Sequence, residues 1–104
     1  MSVLMEFAMF PTDSGESVSA EVSQIIEVIR KKTSHYQLTP MGTVIETDSF
    51  DEALEILSLC NKTLKNSGAK RIYSSVKFDV RYGKNNRLLS KIESIENKIG
   101  EVNK

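Results

Sequence analysis

The chain has 104 residues, 39% hydrophobic and 27% charged, with fourteen Lys+Arg balanced by fourteen Asp+Glu. That length suits one domain with a modest core, and a net charge of zero ranks non-specific nucleic-acid binding and polybasic membrane attachment low. The charges are segregated: residues 1–60 carry three basic and ten acidic side chains and residues 61–104 carry eleven and four, which invites pairing within or between subunits.

Val3–Phe10 predicts a strand, apolar on both faces and stopped by Pro11, so a central strand covered on two sides is expected. Pro11–Glu16 (PTDSGE) has turn composition. Val18, Val22, Ile25, Ile26 and Ile29 then form one apolar helix stripe, with Arg30-Lys31-Lys32 at the end that the helix dipole makes favourable for cations. Ser34–Thr39 alternates as a short strand, Pro40-Met41-Gly42 turns the chain, and the β-branched Thr43–Thr47 predicts the next strand. Ser49 and Glu52 have capping-box spacing and open a second helix. Its stripe is Phe50, Ala53, Leu54, Leu57, Cys60 and Leu64, and Gly68 ends it. In Arg71–Arg81 the alternation is strict, with Ile72, Ser74, Val76, Phe78 and Val80 on one face.

The order β-α-β-β-α-β is the split βαβ pattern of a ferredoxin-like α+β fold, one sheet with two helices on one face. Beyond it, Leu88, Ile92, Ile95, Ile99 and Val102 make a narrow coiled-coil-like seam. We read residues 1–104 as a single domain whose segment 86–102 is an added C-terminal oligomerisation helix.

Several chemistries are disfavoured. Cys60 cannot close an intrachain disulfide and sits on an apolar stripe, where an inert core thiol is expected. His35 lacks a nucleophile or zinc-ligand context, so neither a catalytic residue nor a metal site is expected. There is no G-x-G-x-x-G or Walker A run for a phosphate-bearing cofactor. An RNA-recognition motif shares this element order, but the strand TVIET offers no aromatic for a base to stack on. The opening MSVLMEFAMF lacks a basic signal-peptide start, and no stretch approaches the roughly 18 apolar residues of a membrane span. A cytoplasmic, reducing location is expected.

The face of the sheet away from the helices draws more interest. It would carry Leu4, Glu6, Ala8 and Phe10 beside Tyr73, Ser75, Lys77 and Asp79, with Glu6 and Lys77 a plausible cross-strand ion pair. Glu46 is a second candidate carboxylate there. In the turn Thr39-Pro40-Met41-Gly42-Thr43 two hydroxyls flank a rigid Pro and a Gly, so backbone and hydroxyl groups can converge on a small molecule.

The stretches MEFAMFPTD (Met5–Asp13), YQLTPMGTVIE (Tyr36–Glu46) and RIYSSVKFDVR (Arg71–Arg81) resemble the thiamine-binding protein family, also called UPF0045 or DUF77. The resemblance covers nearly the whole chain, LTPMGT-x-IE is its most specific part, and Leu88–Ile99 is similar to the family's closing helix. The loop Gly83–Arg87 is longer and more polar than the common pattern. The resemblance implies a ferredoxin-like fold, dimers joined into a tetramer, and binding of thiamine or its pyrimidine moiety without known catalysis. Residue chemistry is compatible. Glu46 can accept from an exocyclic amino group, while Thr39, Thr43 or Ser75 can donate to ring nitrogens. Phe10, Tyr36 or Tyr73 can stack on a ring or face a cation, and Met41 and Gly42 complete the turn. The leading expectation is thus a thiamine- or pyrimidine-binding protein, at or near a subunit interface. The alternative is a regulatory or scaffolding homo-oligomer with no thiamine role. A small enzyme using Glu46 or Asp79 ranks third, since two carboxylates do not name a reaction.

Overall fold

The computed structural model describes residues 1–13 and 15–104; Ser14, which the sequence puts in the Pro11–Glu16 turn, lies outside them. In chain order the elements are β1 (Ser2–Pro11), α1 (Ser19–Lys32), β2 (Tyr36–Thr39), β3 (Gly42–Thr47), α2 (Phe50–Asn66), β4 (Ile72–Arg81) and α3 (Arg87–Ile99). The strands pair antiparallel in the order β2-β3-β1-β4. β1 is therefore central, as its two apolar faces predict. The result is an α+β ferredoxin-like sandwich with an added C-terminal helix.

Register decides which side chains meet. Val3, Met5 and Phe7 of β1 lie opposite Thr47, Ile45 and Thr43 of β3 and Val80, Phe78 and Val76 of β4. This face packs on α1 and α2. The core consists of Val3, Met5, Phe7 and Met9 with Ile45, Ile25 and Ile29 from α1, and Ala53, Ile56, Cys60 and Leu64 from α2. Two details of the stripes differ from expectation. Ile56 rather than Leu54 enters the core, and Leu54 is exposed, because the buried line of α2 runs 53, 56, 60, 64 and rotates position 54 outward. Phe50 stays at the surface and packs on Phe78, ring centroids 4.7 Å apart.

Local chemistry sets the ends of α2. The Ser49 hydroxyl accepts from the Glu52 N–H at 3.1 Å, and the Glu52 carboxylate accepts from the N–H of Asp48 at 3.3 Å. The capping box thus closes one residue earlier than its usual reciprocal bond. Gly68 has φ +98° and stops the helix, a conformation in which a side chain would be strained.

Glu6 and Lys77 face one another across β1 and β4, and their side chains pair at 2.9 Å. Both are largely solvated, so the pair contributes only about 0–1 kcal/mol. His35 is exposed and falls just before β2; its carbonyl accepts from the Glu46 N–H at 3.0 Å. Cys60 is fully buried, and burial pushes its thiol up to about 11, which leaves it a thiol rather than a nucleophilic thiolate at neutral pH. Among the described residues, no helix is long and apolar enough to cross a membrane.

Candidate functional site

The β2–β3 turn is built around one hydroxyl. Thr39 Oγ1 donates to the Gly42 carbonyl at 2.8 Å and accepts from the N–H groups of Met41 and Gly42 at 3.3 and 3.2 Å. It thereby pins the Pro40-Met41 tip, the usual work of a Thr side chain in a turn. Gly42 lies against β1 so closely that a Cβ would sit 2.9 Å from the Phe7 carbonyl oxygen. These contacts fold the tip over the edge of the helix layer.

Beneath it lies a cavity of about 260 Å³, walled by Phe7–Phe10 of β1, Val18 at the N-cap of α1, Val22 and Ile25 of α1, and Leu38–Thr43 of the turn. Val18 and Val22 belong to the apolar stripe of α1 but are only half-buried, because this part of the stripe faces the cavity rather than the core. Thr43 is 5% exposed, and its hydroxyl makes no side-chain hydrogen bond among the described residues. No buried side-chain polar atom among the described residues lacks a partner, so the Thr43 hydroxyl lines the cavity as an accessible polar group rather than as a buried orphan. Met41, 89% exposed, forms the outer rim. Small-molecule sites combine an apolar lining with a few placed polar groups in this way. The cleft at the other end of the α1–α2 layer does not. It is lined by Lys32, His35, Asp48, Glu52 and Glu55, and a solvated Lys32–Glu55 pair spans 3.2 Å there.

Glu46 sits elsewhere. Its carboxylate accepts from Ser2 Oγ at 2.5 Å and from the N–H groups of Arg87 and Leu88 at 2.8 and 3.0 Å. Asn86, at φ 58°, reverses the chain just before α3; the carboxylate then meets the positive end of the helix dipole and two of its unpaired donors. The Arg87 guanidinium lies over the same group, donating to Ser2 Oγ at 3.0 Å, to the Ser2 carbonyl at 2.9 Å and to the Asp79 carbonyl, and pairing with the Asp79 carboxylate at 3.0 Å. Burial pushes the Glu46 carboxyl up. The Ser2 hydroxyl, the Leu88 and Arg87 N–H groups and the Arg87 charge outweigh it and hold the carboxyl below the ordinary glutamate value. A depressed carboxylate stabilises the fold fully above its unfolded value, and that contribution is lost as pH falls through the folded one. Docking of α3 is thus expected to fail first on acidification below pH 4.5, seen as loss of amide-exchange protection at Arg87 and Leu88 while β1 stays protected.

Similarity searches agree with this architecture. A sequence model of the family described as Thiamine-binding protein matches residues 5–96. The chain belongs to the thiamine-binding protein family. A UPF0045 protein of Methanocaldococcus jannaschii is 36% identical over 93 residues, 89% of this chain and 91% of that one, and a crystal structure of the protein superposes with a TM-score of 0.80 at 35% identity, covering 90% and 95% of the chains. A UPF0045 protein of Methanothermobacter thermautotrophicus is 30% identical over 83 residues, 80% of this chain and 84% of its own. A candidate thiamine biosynthesis/salvage protein of Thermotoga maritima shares the fold, with a TM-score of 0.76 at 19% identity over 91% and 99% of the chains.

In this thiamine-binding family member the residues expected from the sequence fall into separate groups. Phe10, Thr39, Met41, Gly42 and Thr43 share the turn cavity. Tyr73 stands at its β1 side, across from Phe10 with ring centroids 5.7 Å apart, and Ser75 lies opposite Ala8 on the open face. The Tyr36 hydroxyl accepts from Arg30 Nε at 3.5 Å on the α1 side, and Glu46 anchors α3. Sequence reasoning did not single out Val18 and Val22 as cavity walls. Their place at the N-terminal end of the α1 stripe, beyond the buried Ile25, was the available signal.

Proposed function

We propose that the protein binds thiamine through its aminopyrimidine moiety, without chemical turnover, in the cavity under the β2–β3 turn. The observation that carries this reading is the cavity itself, walled by Phe7, Phe10, Val22 and Ile25, with the Thr43 hydroxyl, free of side-chain hydrogen bonds among the described residues, among its polar groups. An aromatic heterocycle fills such a space, and its ring nitrogen accepts from the hydroxyl. The cavity of about 260 Å³ is smaller than the roughly 300–1,000 Å³ of drug-sized sites, so it suits one ring and leaves the thiazolium outside. Family membership and the fold shared with the Thermotoga protein support the ligand class.

Thermal unfolding with thiamine, its phosphates and the bare aminopyrimidine tests the reading. A ligand present at 100 times its Kd and bound only by the folded state adds about 2.7 kcal/mol of stability. Stabilisation by the bare pyrimidine as well as by thiamine is expected; no stabilisation by either contradicts the proposal.

A second reading concerns assembly and does not depend on the ligand. A groove of about 650 Å³ runs between α3 and the open face, lined by Leu4, Val44, Leu88, Ile92, Ile95 and Val102. Apolar surface of this kind marks an interface, and a second copy of the chain is the occupant we infer, with a tetramer as the final assembly. Light scattering at micromolar concentration is expected to return a multiple of the chain mass, and the mass of one chain overturns it.

A further inference from the structure

The end of the sheet remote from the turn carries a further, more polar cleft that adjoins the α3 groove, sharing Leu4, Asp79, Arg87 and Lys91 with it. It has a volume of about 310 Å³, and its charged and polar walls are Asp79 and Arg81 of β4, Lys84 of the following loop, and Arg87, Ser90, Lys91 and Ser94 of α3, over Leu4. Positions 87, 90, 91 and 94 fall on one face of α3 by helical spacing. Four cations therefore converge on one concavity with a single carboxylate among them.

The carboxylate is already spent. Asp79 pairs with the Arg87 guanidinium at 3.0 Å, and Arg87 is further held by Ser2 and the Asp79 carbonyl. Arg81, Lys84 and Lys91 have no ion-pair partner among the described residues, and neither the Ser90 nor the Ser94 hydroxyl makes a side-chain hydrogen bond there. Three exposed cations without counter-charge around one cleft give it a positive potential that attracts anions. An oxyanion with several acceptor oxygens meets that potential and takes donors from both ammonium groups, a guanidinium and two hydroxyls. Leu4 and Phe10 are six residues apart on β1, so this cleft lies about 20 Å along the strand from the turn cavity.

We propose that this cleft is an anion site for a phosphate or diphosphate group, with Arg81, Lys84 and Lys91 as its charged ligands and Arg87 as a pre-oriented floor. The proposal is independent of the thiamine reading. Its volume suits a small phosphorylated compound, and the exposure of Lys84 and Lys91 makes binding sensitive to salt.

Calorimetric titration of the full chain with inorganic diphosphate at low ionic strength tests it. Saturable binding is expected, weakening as salt is raised. The double variant Lys84→Ala/Lys91→Ala is expected to lose about tenfold or more in affinity, the loss of charge-assisted hydrogen bonds, with thermal stability unchanged because neither side chain is buried. Thr43→Val, in the other cavity, is expected to leave diphosphate affinity intact. Unchanged affinity in the double variant overturns the proposal. So does the absence of heat at millimolar diphosphate, the outcome if carboxylates of a second copy fill the cleft.

Discussion

Glu46→Ala is expected to destabilise the protein by at least about 3 kcal/mol, since each buried donor left without its acceptor costs about 1–3 kcal/mol. Three donors lose their acceptor at once: the Ser2 hydroxyl and the first two N–H groups of α3. The Arg87 guanidinium, its side chain only 8% exposed, keeps its pair with Asp79 but loses the nearby Glu46 charge. Glu46→Gln retains the shape but turns an amide NH₂ toward a set of donors, and a cost of about 1–3 kcal/mol follows from the unsatisfied groups. Urea unfolding of the two variants checks the order. A loss below about 1 kcal/mol for Glu46→Ala, the scale of an ordinary surface pair, would mean that α3 is not held by this carboxylate.

Gly42→Ala is expected to be the most damaging single methyl group in the turn. The added Cβ would meet the Phe7 carbonyl oxygen at 2.9 Å, an atom of the central strand that cannot swing aside as a side chain can. Relief requires β3 to move off β1, at a cost of about 1–3 kcal/mol for overpacking. The same movement displaces Thr43 and Phe7, which wall the cavity, so ligand affinity falls with stability. Cys60→Ala provides the contrast, since it opens a small gap in the α2 core, away from the cavity, and is expected to lower stability without touching affinity. Calorimetry and thermal melts on the two variants separate these effects. Equal affinities for Gly42→Ala and the parent protein would place the ligand elsewhere.

Periodicity was enough for the fold because each element carries a clean pattern. The two apolar faces of β1 announced a central strand, and the strict alternation of β4 placed Lys77 opposite Glu6, where the ion pair forms. Leu54 and Ile56 were harder, because several adjacent apolar residues in α2 permit more than one stripe and only packing against the sheet selects it. The site was legible in part. Thr39–Thr43 and Phe10 come together because the turn and β1 are neighbours through β3. Glu46 reads from sequence as a free acceptor on an open face. Its actual partners are Ser2 and the start of α3, forty or more positions away, and no local pattern reports such a contact. The cluster of Arg81, Lys84 and Lys91 was hidden likewise: it needs the left-handed Asn86 to turn α3 back onto the sheet, over β1 and β3.

The account stands most directly on where a pyrimidine binds. Backbone amide shifts of the uniformly ¹⁵N-labelled protein, followed during titration with the aminopyrimidine moiety of thiamine, measure this residue by residue. The predicted result is saturable movement confined to Phe7–Phe10, Val18, Val22 and Leu38–Thr43, with Arg87 and Leu88 unmoved and the response reduced in Thr43→Val. Shifts centred on α3 and the open face, or none at millimolar ligand, would contradict it.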